Sequence, residues 1–288
     1  MFDLEDLRTF VEVADAGGLT PAARRLGLSK SIVSRRLVRL EEELGVQLLS
    51  RTTRGAALTE AGATFREHAA RVAAELDSAR DALAPEGDLR GRLRVAAPLS
   101  FGPTHMAPVL AELARRHPQL QVHAAYADRF VDLIAEGFDA AIRVGYLTDS
   151  NLVARRVAPL RGKFVASPEY IRAHGAPQTP DELMDHQALM QGTETWRAVS
   201  NGKTVTINVH GRYKADNGEA LAVAALAGIG IATLPDFLVD RHIALGALVP
   251  VLVDYPPPEG GIYIVRPPGD FPPRKVRALI EIMAERFK

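Results

Sequence analysis

The sequence predicts a two-part chain: an N-terminal all-α unit with helix-turn-helix spacing and a small wing, then an α/β half. Three observations predict it. Glycines punctuate short helical patterns over residues 1–58, an unbroken apolar stripe runs from Thr59 to Pro85, and strand and helix patterns alternate beyond Gly91. A chain of 288 residues with 47% hydrophobic and 24% charged side chains has the balance of a soluble globular protein with a sizeable core. Lys+Arg and Asp+Glu are both 35, so the formal net charge is zero and a surface that coats nucleic acid everywhere is excluded. A local basic patch is not.

The first helix carries Leu4, Leu7, Phe10, Val11 and Ala14 at helical spacing and stops at Gly17-Gly18. Thr20 before Pro21 reads as the start of a short second helix ending at Leu26 and Gly27. Ser29 reads as the N-cap of a third helix, Lys30 to Leu44, closed by Gly45. Helix, glycine-bearing turn, helix is the helix-turn-helix spacing. VQLLSRTTRGAALT then places β-like ends around Thr53-Arg54-Gly55, the pattern of a hairpin or wing.

Thr59 is placed to cap a long helix. Phe65, Ala69, Val72, Leu76, Ala79 and Leu83 step 4, 3, 4, 3, 4, a period of 3.5 that suits a paired helix. The expectation is a dimer seam; the alternative is a helix packed on its own domain. Pro85-Glu86-Gly87-Asp88 with Gly91 forms a hinge. Strands follow at 92–97, 121–126, 139–145, 163–167, 229–234 and 259–265, and helices near 102–116, 129–136, 218–227 and 273–287. Such alternation predicts α/β units with mostly parallel sheet.

Several chemistries find no support. There is no Cys, hence no disulfide, thiolate metal site or cysteine nucleophile. The eight His form no H-E-x-x-H pair, so no metal site is expected. Ser100 lacks a G-x-S-x-G frame, and Gly228 and Gly230 precede a strand rather than follow one, so they read as a tight turn. No catalytic residues and no cofactor are expected. MFDLEDLRTF is unlike a secretory signal, and no apolar run approaches the roughly 20 residues of a membrane span. The expected location is the cytoplasm, with no membrane partner.

The strongest local signal is basic. From Arg24 to Arg54 there are eight cations (Arg24, Arg25, Lys30, Arg35, Arg36, Arg39, Arg51, Arg54) against Glu41, Glu42 and Glu43. They are either a solvated helix face or a phosphate-facing surface; their place on the second helix of the motif and on the wing favours the latter.

The stretch LTPAARRLGLSKSIVSRRLVRLEEELGVQLLSRTTRGAALTEAG closely resembles the winged helix-turn-helix of LysR-type transcriptional regulators. The resemblance continues more weakly through DAAIRVG, LAGIGIATLP and the C-terminal helix. It implies a DNA-binding domain over 1–58, a linker and dimerisation helix with its hinge over 59–88, and an effector-binding domain over 89–288. That last domain would have two Rossmann-like lobes of the periplasmic-binding-protein kind, one about 89–160 with 262–288, the other about 161–261. The implied partners are an operator in double-stranded DNA, a small-molecule effector, other copies of the chain as a dimer or tetramer, and RNA polymerase. Two positions depart from the family pattern: Gly18 replaces a capping Ser, and Leu49 replaces Phe under the wing.

Within the third helix Lys30, Ser31, Ser34 and Arg35 lie in the half that enters the major groove, with Arg39 further along. Arg35 suits a guanine edge. Arg51, Thr53 and Arg54 suit phosphates or the minor groove from the wing. In the α/β half, effector candidates lie at strand ends: Ser100, whose hydroxyl and following helix N–H groups suit a carboxylate, Phe101 and Tyr126 as apolar walls, Arg143, and Asn217. Arg143 is as well suited to an ion pair, and Asp216 or Asn217 to capping a helix. Trp196 reads as packing. Competing classes, a solute-binding protein or an enzyme on the α/β half, lack a signal peptide and catalytic residues respectively.

Overall fold

The computed structural model describes residues 3–52, 55–83, 89–147, 149–192, 195–269 and 271–287, with backbone alone at 51, 52, 55, 74 and 77–83. Three helices open the chain: α1 (Leu4–Ala16), α2 (Leu19–Leu26) and α3 (Lys30–Leu44). Asp3 caps α1 and Ser29 caps α3, each side chain accepting a backbone N–H of the first turn. Gly17, Gly27 and Gly45 end the three helices in the left-handed conformation. The second helix starts earlier than its sequence suggests. Gly18, not Thr20, is its N-cap, and Pro21 sits inside the first turn, where a missing N–H costs nothing. Phe10, Val33, Leu37, Leu40 and Leu48 form the buried core of this domain.

The wing is a hairpin of β1 (Leu49–Thr52) and β2 (Gly55–Leu58), antiparallel with Leu49 opposite Leu58. Glu41 Oε1 accepts the N–H groups of Leu48 (2.8 Å) and Leu49 (3.0 Å), tying α3 to the wing. Thr59 caps α4 (Glu60–Leu83) through Gly62 N–H at 2.9 Å. Gly62 is required by contact: a Cβ there would lie 1.9 Å from the Leu48 carbonyl oxygen. The first part of the α4 stripe packs on its own domain, which corrects the expectation that Phe65 and Ala69 belong to a dimer seam. Phe65 packs against Phe10 (ring centroids 5.5 Å) and Ala69 is buried in the same core. Val72 is exposed and Leu76 half-buried. The side chains of Ala79 and Leu83, and the hinge residues 84–88, lie outside the described residues.

The C-terminal half holds two five-stranded sheets. Its elements are β3 (Gly91–Ala97), α5 (Ala107–Arg116), β4 (Leu120–Tyr126), β5 (Ala140–Gly145), β6 (Val153–Leu160), β7 (Gly162–Ala166) and α6 (Pro168–His174). There follow β8 (Gln187–Met190), β9 (Thr195–Ser200), β10 (Lys203–Asn208), β11 (His210–Lys214), α7 (Gly218–Leu226), β12 (Ile231–Pro235) and α8 (Asp236–Ala244). The chain closes with β13 (Val249–Val251), β14 (Gly260–Arg266) and α9 (Arg274–Arg286). The first lobe has strand order β4-β3-β5-β14-β6 and the second β11-β8-β12-β7-β13.

The sheets are mixed rather than mostly parallel. β3 pairs parallel with β4 and β5, whereas β14 pairs antiparallel with β5 and β6. The reason is connectivity: β14 returns from the second lobe and is inserted between β5 and β6, so it runs against the parallel core while β6 runs with it. The helix expected near 129–136 is absent. Asp132 Oδ1 accepts from both Ile134 and Ala135, and Glu136 pairs with Arg129, so side chains hold this segment as turns ending at Gly137. Trp196 packs on Phe164, the packing role expected of it.

Candidate DNA-binding face and effector cleft

The helix α1 sorts the cations of α3. Arg39 donates to Asp6, whose carboxylate is only 2% exposed, and to Asp3 at 3.2 Å. Arg36 donates to Glu5 (3.2 Å) and to the Thr9 hydroxyl (3.1 Å). Arg25 on α2 pairs with Glu12 at 3.2 Å. Arg39 is therefore a clamp between helices and not a free DNA contact, which corrects its place among the candidates. A buried acid on α1 takes its charge.

Other cations nearby are left free. Lys30 and Arg35 are exposed and have no ion-pair partner among the described residues, and Arg24 on α2 is likewise exposed and unpaired. Ser31 is exposed and its hydroxyl meets that of Ser29 at 2.8 Å; Ser34 is half-buried beside it. This puts serines and two cations along one solvent-facing stripe of a helix N-terminal half. Arg51 lies on β1 opposite Ala56, its side chain outside the described residues, as are Thr53 and Arg54 altogether.

In the C-terminal half, β3, β4 and β5 end side by side. Ser100 follows β3 in a turn, half-buried, and none of the described residues hydrogen-bonds its hydroxyl. A π-helical turn, Gly102–Met106, leads from it into α5. Tyr126, at the end of β4, lies flat against Gly102, where a Cβ would meet its ring at 2.1 Å; burial raises its phenol pKa. Phe101 is 1% exposed and packs on His105, Phe237 and Phe287. It is a core residue, not the wall of an open site. Through Phe237 of α8 it also joins the two lobes.

Arg143 on β5 is half-buried, and burial lowers its pKa. It stands over the Phe130 ring at 4.4 Å and donates to the Val131 carbonyl at 3.3 Å. No acid among the described residues pairs with it, so the ion-pair alternative fails. Asn217 is the N-cap of α7, its Oδ1 accepting from Ala220 N–H at 3.0 Å. Its Nδ2 donates to Asp128 at 2.6 Å, and Asp128 Oδ1 accepts from Leu99 N–H at 2.9 Å. Asp128 was not singled out in the sequence. It follows β4 by two residues, level with Leu99 after β3, and that register was the signal available. A third cross-lobe contact sets Arg197 of β9 over the Tyr146 ring at 4.3 Å.

Among the described residues no group of three or more His, Cys, Asp or Glu is arranged to hold a metal ion, and no helix is long and apolar enough to cross a membrane. Residues 4–63 match the family model described as a bacterial regulatory helix-turn-helix protein of the lysR family, and residues 86–288 match the LysR substrate binding domain. The chain belongs to the LysR family of transcriptional regulators.

Like its relatives, this LysR-type chain is a transcriptional regulator and not an enzyme. It is 38% identical to the HTH-type transcriptional regulator PtxR of Pseudomonas aeruginosa over 99% of this chain and 93% of that protein. It is 38% identical to the regulator CrgA of Neisseria meningitidis over 87% of this chain and 85% of that one. The solved structure of CrgA aligns over 98% of both chains with TM-score 0.60 and 34% identity. Full-length AphB, the Vibrio cholerae virulence activator, aligns over 99% of this chain and all of that one, with TM-score 0.61 and 29% identity. The family's two-part plan, a DNA-binding helix-turn-helix and a substrate-binding effector domain, is thus present here. Regulators of this family bind DNA and small-molecule effectors and act as oligomers.

Proposed function

We propose that Lys30, Ser31, Ser34 and Arg35 read an operator in the major groove, with Arg51, Thr53 and Arg54 holding phosphates or the minor groove from the wing. The observation that carries this is the sorting of charge: acids of α1 neutralise Arg36 and Arg39 but leave Lys30 and Arg35 facing solvent. Residues 1–58 form the reading unit, 59–88 the linker and hinge, and 89–288 the effector domain. Val72, Leu76 and Leu83 supply a seam between two copies, and pairs of dimers assemble as a tetramer that works with RNA polymerase in the cytoplasm.

The effector is a small organic anion held between the lobes. Its charge meets Arg143, the half-buried guanidinium without an acid, and Ser100 offers a free hydroxyl at the neighbouring strand end. Tyr126 supplies an apolar wall. Asn217 contributes differently from a direct ligand contact, since both ends of its amide are engaged. A mobility-shift titration with the DNA upstream of the chain's own coding sequence tests the DNA reading. A shift lost in Arg35→Ala supports it; no shift with the wild-type chain refutes it. Arg143→Gln tests the effector seat, with loss of effector response and retained DNA binding as the expected result.

A further inference from the structure

Two acids of α1 leave their own domain. Asp15, its side chain 6% exposed, accepts from Arg66 of α4 at 2.7 Å and from Arg94 and Arg92 of β3 at 3.1 and 3.3 Å. Glu12, 14% exposed, accepts from Arg92 at 3.0 Å and from Arg25 at 3.2 Å. Surface ion pairs contribute little, but acids this buried and shared among several guanidiniums are costly to strip of partners. The arginines are themselves anchored. Arg94 N–H donates to Asp139 at 2.6 Å, its guanidinium stands over Phe138 at 4.9 Å, and buried Lys275 of α9 donates to the Arg92 carbonyl at 2.9 Å.

We infer that Glu12 and Asp15 form an ionic dock that seats the DNA-binding domain on the first lobe, and that β3 carries the state of the inter-lobe seam across it. The second half of the path is on the same strand. From Arg94 to Leu99 β3 and its exit span five residues, roughly 17 Å, and Leu99 N–H is held by Asp128, which is held by Asn217 of the other lobe. On the far side, α1 is bonded to α3 by Asp6–Arg39 and Glu5–Arg36. A continuous series of direct bonds therefore joins the lobe contact to the reading helix without using the linker.

Contiguity alone does not establish coupling; an energetic cycle does. Amide hydrogen exchange on the full chain, without DNA or effector, supplies it with four proteins: wild type, Asp128→Asn, Asp15→Asn and the double variant. Asp15→Asn is expected to speed exchange in residues 10–16 and 91–94 at least tenfold and to leave 187–190 unchanged. Asp128→Asn is expected to alter exchange in residues 10–16 and 30–40 at least threefold with the dock intact, and less than 1.5-fold in the Asp15→Asn background. Arg94→Gln approaches the dock from the other side and must reproduce the Asp15→Asn result. Unchanged exchange at 91–94 overturns the dock; equal effects of Asp128→Asn in both backgrounds overturn the path along β3. Neither outcome depends on the DNA or effector reading above.

Discussion

Asn217 reaches across from the second lobe and gives its amide Nδ2 to Asp128 of the first at 2.6 Å, while its Oδ1 caps α7. One side chain thus starts a helix and closes a seam. The sequence offers Asn217 as an effector contact or a helix cap; the structure makes it a cap and supplies its amide with the protein's own carboxylate. Asn217→Ser keeps a cap but removes the cross-lobe bond, and Asn217→Ala removes both. The alanine variant should lose about 1–2 kcal/mol more than the serine variant in urea denaturation of the full chain. Equal losses would mean that the cap contributes nothing.

Arg35 and Arg39 lie one turn apart on α3 and should fail in different ways. Arg35→Ala should weaken specific DNA binding by about 1–3 kcal/mol and leave thermal stability unchanged. Arg39→Ala strands the buried Asp6 carboxylate and should lower the melting temperature of the winged domain. Parallel anisotropy and melting measurements on both variants check the contrast.

The split stripe of α4 separates packing from association. Phe65→Ala should destabilise the winged domain by about 2–3 kcal/mol, less than the roughly 3–5 for a fully buried Phe, with dimerisation retained at low temperature. Val72→Glu with Leu76→Glu puts charge into the proposed seam and should give monomers in sedimentation, with a melting curve close to wild type. Dimers of the double variant would move the interface elsewhere.

His105 packs between Phe101 and Phe237 where the lobes meet, and burial, with Arg286 nearby, lowers its pKa from 6.5. A histidine whose folded-state pKa is depressed favours its neutral form in the fold. Its contribution is present above pH 6.5 and lost as pH falls through the depressed value. Stability of the wild-type chain should therefore fall below pH 6.5 more steeply than that of His105→Gln, as measured by denaturant titration at several pH values.

The helix limits among the described residues of the N-terminal unit were legible because glycine stops and hydroxyl caps are local signals, as at Ser29, Gly45 and Thr59. Thr20-Pro21 misled because a proline fits the first turn equally well as its first or its third residue. Phe65 and Ala69 followed the heptad pattern, but periodicity does not say which partner covers a stripe. β6, VARRVAPL, was not read as a strand because its exposed arginines hide the apolar alternation. Asp128, Asp15 and Arg94 carry no local pattern; their roles arise only when segments distant in sequence are brought together.

Gly62 leaves no room between the first turn of α4 and the Leu48 carbonyl. The wing and the long helix must then rotate as one piece, and with the seam proposed at Val72 and Leu76 the azimuth of each reading head follows from where α4 meets its partner. Inserting a single residue between the part of α4 that packs on Phe10 and the part at Leu76 would turn each head by about 100° and advance it about 1.5 Å. Both heads would leave the face of the duplex they share. Inserting seven residues would nearly restore the azimuth while moving the heads apart along the helix axis, so the preferred distance between half-sites should follow the length of α4.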